Sequence, residues 1–356
     1  MIKYIGSKRV LIPRIVTAIE ALPDVETVLD LFSGTSRVGH ALKRAGYTVT
    51  ANDHLAYAAT LARCYVEADA GAIADEVREV IETLRGARPV DGYVTEVFCR
   101  ESRYFHPKNG RRIDGIREAI DRMDLSEVVR AVALVSLMEA ADRVDSTTGV
   151  QMAYLKKWAP RAHNDLELRM PDILAGPGAA HRMDALEAAA RIEADVAYVD
   201  PPYNQHSYMG NYHIWETLVR WDRPEYYGVA CKRIECRSYR SPFNRKREIR
   251  GAMRAVIEAL RAKYIVVSFN DEGYLGREEL EEMLSSRGHV RTVPIDHKRY
   301  VGAQIGIHNL EGEKVGKVGH LRNKELLYLV GEDRDAIDHA YETVLNHGRE
   351  PQLDLL

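Results

Sequence analysis

Asp200-Pro201-Pro202-Tyr203 sets a carboxylate, a backbone carbonyl and an aromatic ring in consecutive positions. Pro201 and Pro202 fix their own φ and lack an N–H, so the segment is stiff, extended and unable to continue a sheet ladder. Such a turn suits an amino group on a flat heterocycle, with one N–H donated to Asp200, the other to the Pro201 carbonyl, and the ring stacked on Tyr203. The tetrapeptide alone is equally compatible with a proline-stiffened strand end bearing a solvated Asp. Three further carboxylates, Asp30, Asp53 and Asp184, each fall near the end of a predicted strand. In open α/β sheets the carboxyl edge is where ligands bind. Gly34 lets backbone approach a ligand closely. Asp53 follows Asp30 by 23 residues, about where a nucleotide-binding βαβ unit carries its ribose acceptor, and Asp184 can accept from an adenine amine. No Gly-Lys-Ser/Thr follows Gly34, which disfavours triphosphate chemistry.

The elements that must hold these groups are read from hydrophobic periodicity. Residues 10–22 carry apolar positions at helical spacing and stop before Pro23. Residues 26–32 read as a buried strand, 33–39 as a glycine-bearing turn opening a helix to about Arg44, and 47–51 as a second strand, which together make a βαβ unit. Residues 57–85 and 128–141 read as helices. Between them, 89–115 reads as a hairpin or ordered loop with a tight turn at Lys108-Asn109-Gly110. The α/β rhythm resumes with a short strand ending near Asp184, a helix over 185–192 and a strand over 194–199 leading into Asp200. Helices over 214–221, 247–262 and 278–285 follow, with strands over 264–270, 290–295 and 326–330, the last two separated by a Gly-rich basic loop.

Composition bounds the rest. At 356 residues, 46% hydrophobic and 29% charged, the chain has the make-up of an ordinary globular protein, without an expected membrane anchor. Cys64, Cys99, Cys231 and Cys236 lack the spacing of a zinc site, so reduced structural thiols are expected and no metal. With 50 basic and 53 acidic residues, binding of a polyanion over the whole surface is disfavoured. The basic charge is local instead. Residues 232–254 hold nine basic side chains against Glu235 and Glu248, and Arg100, Arg103, Lys108, Arg111, Arg112 and Arg117 interleave with Tyr104, Phe105 and His106. Charge runs usually form solvated faces, but two such clusters in a net acidic chain point to phosphate-backbone contacts.

Tyr4-Ile5-Gly6-Ser7-Lys8, Asp30-Leu31-Phe32-Ser33-Gly34, Asn52-Asp53 and Asp200-Pro201-Pro202-Tyr203, in this order, resemble the Dam-type (alpha-group) DNA adenine N6-methyltransferases. The segments 204–212 and 268–273 are also similar to the family. One position departs, with Ser36 standing where the family has its second motif glycine.

The resemblance implies an α/β fold, a Rossmann-like class I methyltransferase sheet with an inserted, mainly helical DNA-recognition subdomain. On that expectation residues 1–65 and 180–335 form the catalytic domain, 66–179 the insert, and 336–356 a C-terminal helix or tail. The implied cofactor is S-adenosylmethionine, held by Tyr4, Lys8, Asp30, Phe32, Ser33, Gly34, Asp53, Asp184 and Asp200. The implied catalytic group is Asp200, Pro201, Pro202 and Tyr203 acting on a flipped-out adenine. Double-stranded DNA would be gripped by Arg103, Lys108, Arg111, Arg112, Lys232, Arg233, Arg237, Arg240, Arg245 and Lys246, with the 100–112 segment reading the major groove. A cytoplasmic monomer of bacterial or phage origin is expected, and pairing with a cognate restriction enzyme stays open. So do other acceptors (RNA adenine, cytosine N4, a protein glutamine) and a non-catalytic specificity subunit, although an intact amine clamp has no use in a pure binding module.

Overall fold

The apolar, β-branched runs found in the sequence become strands in a computed structural model, which describes residues 1–6, 8–298, 307–308, 314–316 and 322–347. The principal strands in chain order are β1 (Thr27–Asp30), β2 (Thr48–Asn52), β3 (Gly178–His181), β4 (Glu193–Val199), β5 (Arg261–Asn270), β6 (His289–Lys298) and β7 (Arg322–Gly331). The chain divides into two units, one of residues 1–9, 32–185 and 206–241, the other of residues 10–31, 186–205 and 242–356.

In the second unit β1 pairs in parallel with β4, and β4 with β5, while β7 runs antiparallel to both β5 and β6. Val28, Leu29, Val196, Val199 and Val266 are fully buried, as strands covered on both faces require. Asp195 sets the register at the entry to β4. One of its carboxylate oxygens accepts the N–H groups of Glu26 and Thr27 and the Thr27 hydroxyl, locking β1 beside β4. Helices Ile12–Glu20 and Arg334–His347 pack on each other in this unit. The Gly-rich segment expected between the last two strands and the end of the expected tail lie largely outside the described residues.

In the first unit β2 pairs in parallel with β3, Asn52 opposite His181. The remainder is mainly helical. Helix Glu127–Arg143 is buried around most of its circumference, through residues such as Val132, Leu134, Leu137 and Met138, which is why it carries little amphipathic pattern. Ser126 caps it by accepting the Val129 N–H. Helix Ala70–Arg85 starts at Asp69, whose carboxylate accepts from Gly71 and also from Gly176 across the chain.

The tight turn expected at Lys108-Asn109-Gly110 is instead the first turn of helix Pro107–Arg122. Pro107 occupies the first helical position, where its missing N–H costs nothing, and the His106 ring accepts the Lys108 N–H at 3.4 Å. Asn109 and Gly110 are buried, Asn109 donating to the carbonyls of Ala162 and Asn164. A Cβ on Gly110 would stand 2.3 Å from the Cys99 sulfur, so this glycine serves close packing rather than a turn. Asp114, one turn further on, accepts the N–H groups of Gly92, Val94 and Thr95 and the Thr95 hydroxyl.

His213 lies in the same helical core against Phe98 and Tyr104, its Nε2–H donating to the Gln151 carbonyl at 3.0 Å while Nδ1 has no partner. Burial, followed by nearby Lys232 and Arg233, pushes its pKa down to about 3. Because the unfolded ring titrates near about 6.5, its neutral form favours folding above that pH. This contribution is lost as pH falls toward about 3, at about 1.4 kcal/mol per pH unit within that window. Chemical denaturation of wild type and His213→Phe between pH 7 and pH 4 should therefore show a shallower acid loss in the variant.

Candidate active site

The site groups are built separately in each unit. In the first, the Ser33 N–H donates to the Asn52 carbonyl at 2.9 Å, tying the glycine turn to the end of β2. Gly34 has φ +52°, and its N–H donates to Asp53 at 3.0 Å, while the other Asp53 oxygen accepts from the Leu55 N–H at 3.0 Å. Burial pushes the Asp53 carboxyl up from the ordinary carboxylate value, against the two backbone donors that favour its charged form. Asn52 is buried and pairs with the Met183 backbone in both directions, its side-chain oxygen accepting and its amide donating. That pairing holds the turn leading to Asp184, which is exposed and lies three residues past the end of β3 rather than at a strand end.

Tyr4 stacks on Tyr212 with centroids 4.5 Å apart and on Tyr208 at 5.1 Å, and its hydroxyl lies 3.2 Å from that of Tyr57. A Cβ on Gly34 would stand 3.4 Å from the Tyr4 ring, so the Tyr4 face, Gly34 and Asp53 adjoin one another. Burial, followed by Tyr57, raises the Tyr4 phenol well above its ordinary value and keeps it neutral. Lys8 is buried in the short 3-10 helix Lys8–Val10, and Phe32 is half-buried. The buried Ser33 hydroxyl has no hydrogen-bond partner, a polar atom that a ligand in this turn would satisfy.

Ser36 sits at φ +57°, in the left-handed region where glycine is favoured, with a buried hydroxyl that likewise has no partner. Ser36→Gly should relieve about 1 kcal/mol of backbone strain. A higher denaturation midpoint at unchanged slope would register it.

In the second unit Asp30, the last residue of β1, is buried opposite Tyr198 of β4. The Leu31 N–H donates to the Tyr198 carbonyl, and β4 ends at Val199, so Asp200 emerges at the carboxyl end of a parallel strand as its motif led us to expect. Asp200 and Tyr203 are half-buried. The Tyr203 carbonyl accepts the Tyr274 N–H at 3.0 Å, and its ring lies 5.4 Å from Phe269 at 55°. Asn244 donates to the Asn204 carbonyl at 2.7 Å. The turn after β5 that supplies Tyr274 is itself tied to β7, since Asp271 and Lys324 exchange two hydrogen bonds. The tetrapeptide is thus pinned from outside at its last carbonyl, and the chain again at the next one.

The basic residues divide by exposure. Arg103, Lys108, Arg111, Arg237, Arg240, Arg245 and Lys246 are exposed and Lys232 is half-buried. Arg233 is 1% exposed and held bidentately by Asp222 at 2.7 and 2.6 Å, with Glu235 beside it, so it braces the loop and offers no charge to a phosphate. Arg112 is half-buried and donates to the Arg85 and Ala87 carbonyls, finishing helix Ala70–Arg85 rather than reaching outward. Both corrections have one cause: sequence reports charge, and only packing reports the carbonyl or carboxylate that has claimed it.

Among the described residues no group of three or more His, Cys, Asp or Glu is arranged to hold a metal ion, and no helix is long and apolar enough to cross a membrane. The four cysteines are free and buried.

Residues 4–283 match the profile of the D12 class N6 adenine-specific DNA methyltransferase family. The chain belongs to that family. It is also similar to the Type II methyltransferase M.FokI of Planomicrobium okeanokoites, 33% identical over 307 residues, which cover 80% of this chain and 47% of that protein. The modification methylase StsI of Streptococcus sanguinis is 30% identical over 324 residues, 85% of this chain and 49% of that protein. The Type II methyltransferase M.NlaIII of Neisseria lactamica is 27% identical over 337 residues, 90% of this chain and 99% of that protein. The chain therefore spans about half the length of the first two relatives and nearly all of the third. Membership agrees with the Dam-type resemblance and with the mixed α/β fold, whose strands are largely parallel. A D12-class methyltransferase requires a methyl donor.

Two features of the site were not anticipated from sequence. Tyr239 stacks on His54, the neighbour of Asp53, with centroids 5.8 Å apart at 17°. Burial, followed by the Asp53 carboxylate, pushes its phenol up to about 12. The second is Glu216, fully buried on helix His213–Arg220. No local spacing marks either one, because both reach the Asp53 turn from more than 150 residues away.

Proposed function

We propose that the chain transfers a methyl group to N6 of an adenine in a specific sequence of double-stranded DNA, with S-adenosylmethionine as donor. The observation that carries this reading is an Asp-Pro-Pro-Tyr turn at the carboxyl end of β4, clamped at the Tyr203 and Asn204 carbonyls, in a chain of the D12 family. The unpartnered Ser33 hydroxyl, Gly34 with its close Tyr4 face, and the doubly hydrogen-bonded Asp53 suit a nucleoside bearing an amino-acid tail. Asp53 would take the ribose hydroxyls, Asp184 the adenine amine of the donor, and Lys8, Asp30 and the 32–34 turn its methionine end. When bound, the donor supplies an electrophilic methyl.

The chain's own residues then handle the acceptor. Adenine N6 is a poor nucleophile because its lone pair is delocalised into the ring. Asp200 and the Pro201 carbonyl, each accepting one N6 proton, favour a pyramidal nitrogen with a localised lone pair. Asp200 is also positioned by this reading to receive the proton lost on methylation, and Tyr203 stacks on the base. The base must leave the duplex, at a cost of roughly a few kcal/mol that stacking and hydrogen bonds recover. Arg103, Lys108, Arg111, Lys232, Arg237, Arg240, Arg245 and Lys246 would contact phosphates or bases, and residues 66–179 would form the recognition subdomain. Arg111→Ala alone is the sound probe of sequence choice, since Arg112 is committed to carbonyls. The name of the relative StsI, a modification methylase, supports pairing with a restriction enzyme. The rest of the reading is a monomer acting in the cytoplasm of a bacterial or phage-infected cell.

The test is transfer of labelled methyl from S-adenosylmethionine to mixed-sequence duplex DNA, followed by nucleoside analysis. Label in N6-methyladenine is expected. Label confined to RNA, to cytosine or to protein would redirect the acceptor assignment.

A further inference from the structure

Glu216 is a fully buried carboxylate to which the chemistry above gives no task. A carboxylate withdrawn from water is costly unless donors compensate it. Here one oxygen accepts the Ala56 N–H at 3.3 Å and the other the Tyr57 N–H at 3.1 Å, with Arg182 3.9 Å and Arg220 4.0 Å from the first. These N–H groups begin helix Ala56–Ala62, whose N-cap residue Leu55 has no capping side chain. A Ser or Asp at position 55 would satisfy such groups locally. The task is instead carried from helix His213–Arg220, while Arg182 donates to the His54 carbonyl at 3.2 Å.

Five backbone groups of the turn that presents Asp53 are consequently fixed. The Asp53 N–H is held by His181, the His54 carbonyl by Arg182, the Leu55 N–H by Asp53 itself, and the next two N–H groups by Glu216. With those donors satisfied from outside, the Asp53 carboxylate is left to span Leu55 and Gly34.

We infer that Glu216, supported by Arg182, is a positioning residue for nucleoside binding: its charge-assisted hydrogen bonds set the orientation of Asp53. The inference rests on Asp53 being the ribose acceptor, and the measurement separates the two. Binding of the unreactive product S-adenosylhomocysteine is titrated by calorimetry with wild type, Glu216→Gln, Arg182→Met, Asp53→Ala and Asp114→Asn. Asp114 is a comparably buried carboxylate of the same unit with several backbone donors, and it controls for general loss of stability.

Glu216→Gln should weaken binding about tenfold and raise KM for S-adenosylmethionine in proportion, with kcat at saturation within about threefold of wild type. Asp114→Asn should bind within about twofold of wild type. Arg182→Met, at a half-exposed side chain, should weaken binding a few-fold, and it decides the question if Glu216→Gln does not fold. Normal binding by Glu216→Gln or, in its place, by Arg182→Met, alongside impaired Asp53→Ala, would overturn the inference and leave the ribose assignment intact. Weakening by Asp114→Asn as large as by Glu216→Gln would reduce Glu216 to a structural part. Normal binding by Asp53→Ala would remove the ribose assignment and the inference with it.

Discussion

Asp200→Ala is expected to lower kcat for methyl transfer by about 10³-fold, the scale of removing a positioned proton acceptor and electrostatic partner from a reacting nitrogen. Affinity for duplex DNA should stay within about threefold, because the substitution leaves Pro201 and Pro202 to keep the turn extended and leaves the Tyr203 carbonyl on the Tyr274 N–H, while any loss of S-adenosylhomocysteine affinity reports the share of Asp200 in holding the donor. Single-turnover transfer, with binding measured separately by anisotropy and calorimetry, checks both halves. Full activity in the variant would show that the carboxylate is only a solvated strand end, the reading that the tetrapeptide by itself permits. Loss of DNA binding together with activity would instead assign Asp200 a structural task in the clamped segment.

The second large effect concerns Gly115, in helix Pro107–Arg122. A Cβ there would lie 2.0 Å from the Arg88 carbonyl oxygen and 3.0 Å from its carbon, which are backbone atoms with little freedom to move aside. Gly115→Ala should destabilise the protein by about 3 kcal/mol, the upper range for overpacking. Gly251→Ala makes the contrasting case, since Gly251 lies within helix Ile249–Ala259 and its Cβ would meet nothing within 4 Å. That change should stabilise by about 0.5–1 kcal/mol, by helix propensity and a less flexible unfolded chain. Denaturation midpoints moving in opposite directions would support both environments. A neutral Gly115→Ala would favour a loop at this segment over the close-packed helix.

Much of the α/β order was readable because it rests on local patterns. Apolar β-branched runs bounded by turn residues gave β1, β2, β4 and β5 within a few residues, and the carboxylates at the carboxyl ends of β1, β2 and β4 followed from those boundaries. The 108–110 segment failed for a local reason too. Asn-Gly is a strong turn signal in isolation, yet here Pro107 opens a helix and tertiary packing wants small residues at Gly110 and Gly115. Ser36 illustrates an intermediate case. Its identity was seen to depart from the family pattern, but that it occupies a left-handed backbone position with an unpartnered hydroxyl is a fact of the folded turn.

By itself, then, the sequence determined the stiff, extended Asp200-Pro201-Pro202-Tyr203 segment at a strand's carboxyl end and the spacing of Asp30, Gly34 and Asp53 along the first two strands and the turn between them. Residue type, fixed φ and short-range periodicity act within a few positions and survive without a fold. Only the tertiary structure decided which charges are spent and which remain available. Arg233 on Asp222, Arg112 on the Arg85 carbonyl and Glu216 on the Ala56 and Tyr57 N–H groups are pairings between distant segments. A hydrogen bond depends on ångström distances between partners that the linear chain does not encode as spacing, so those assignments waited on packing.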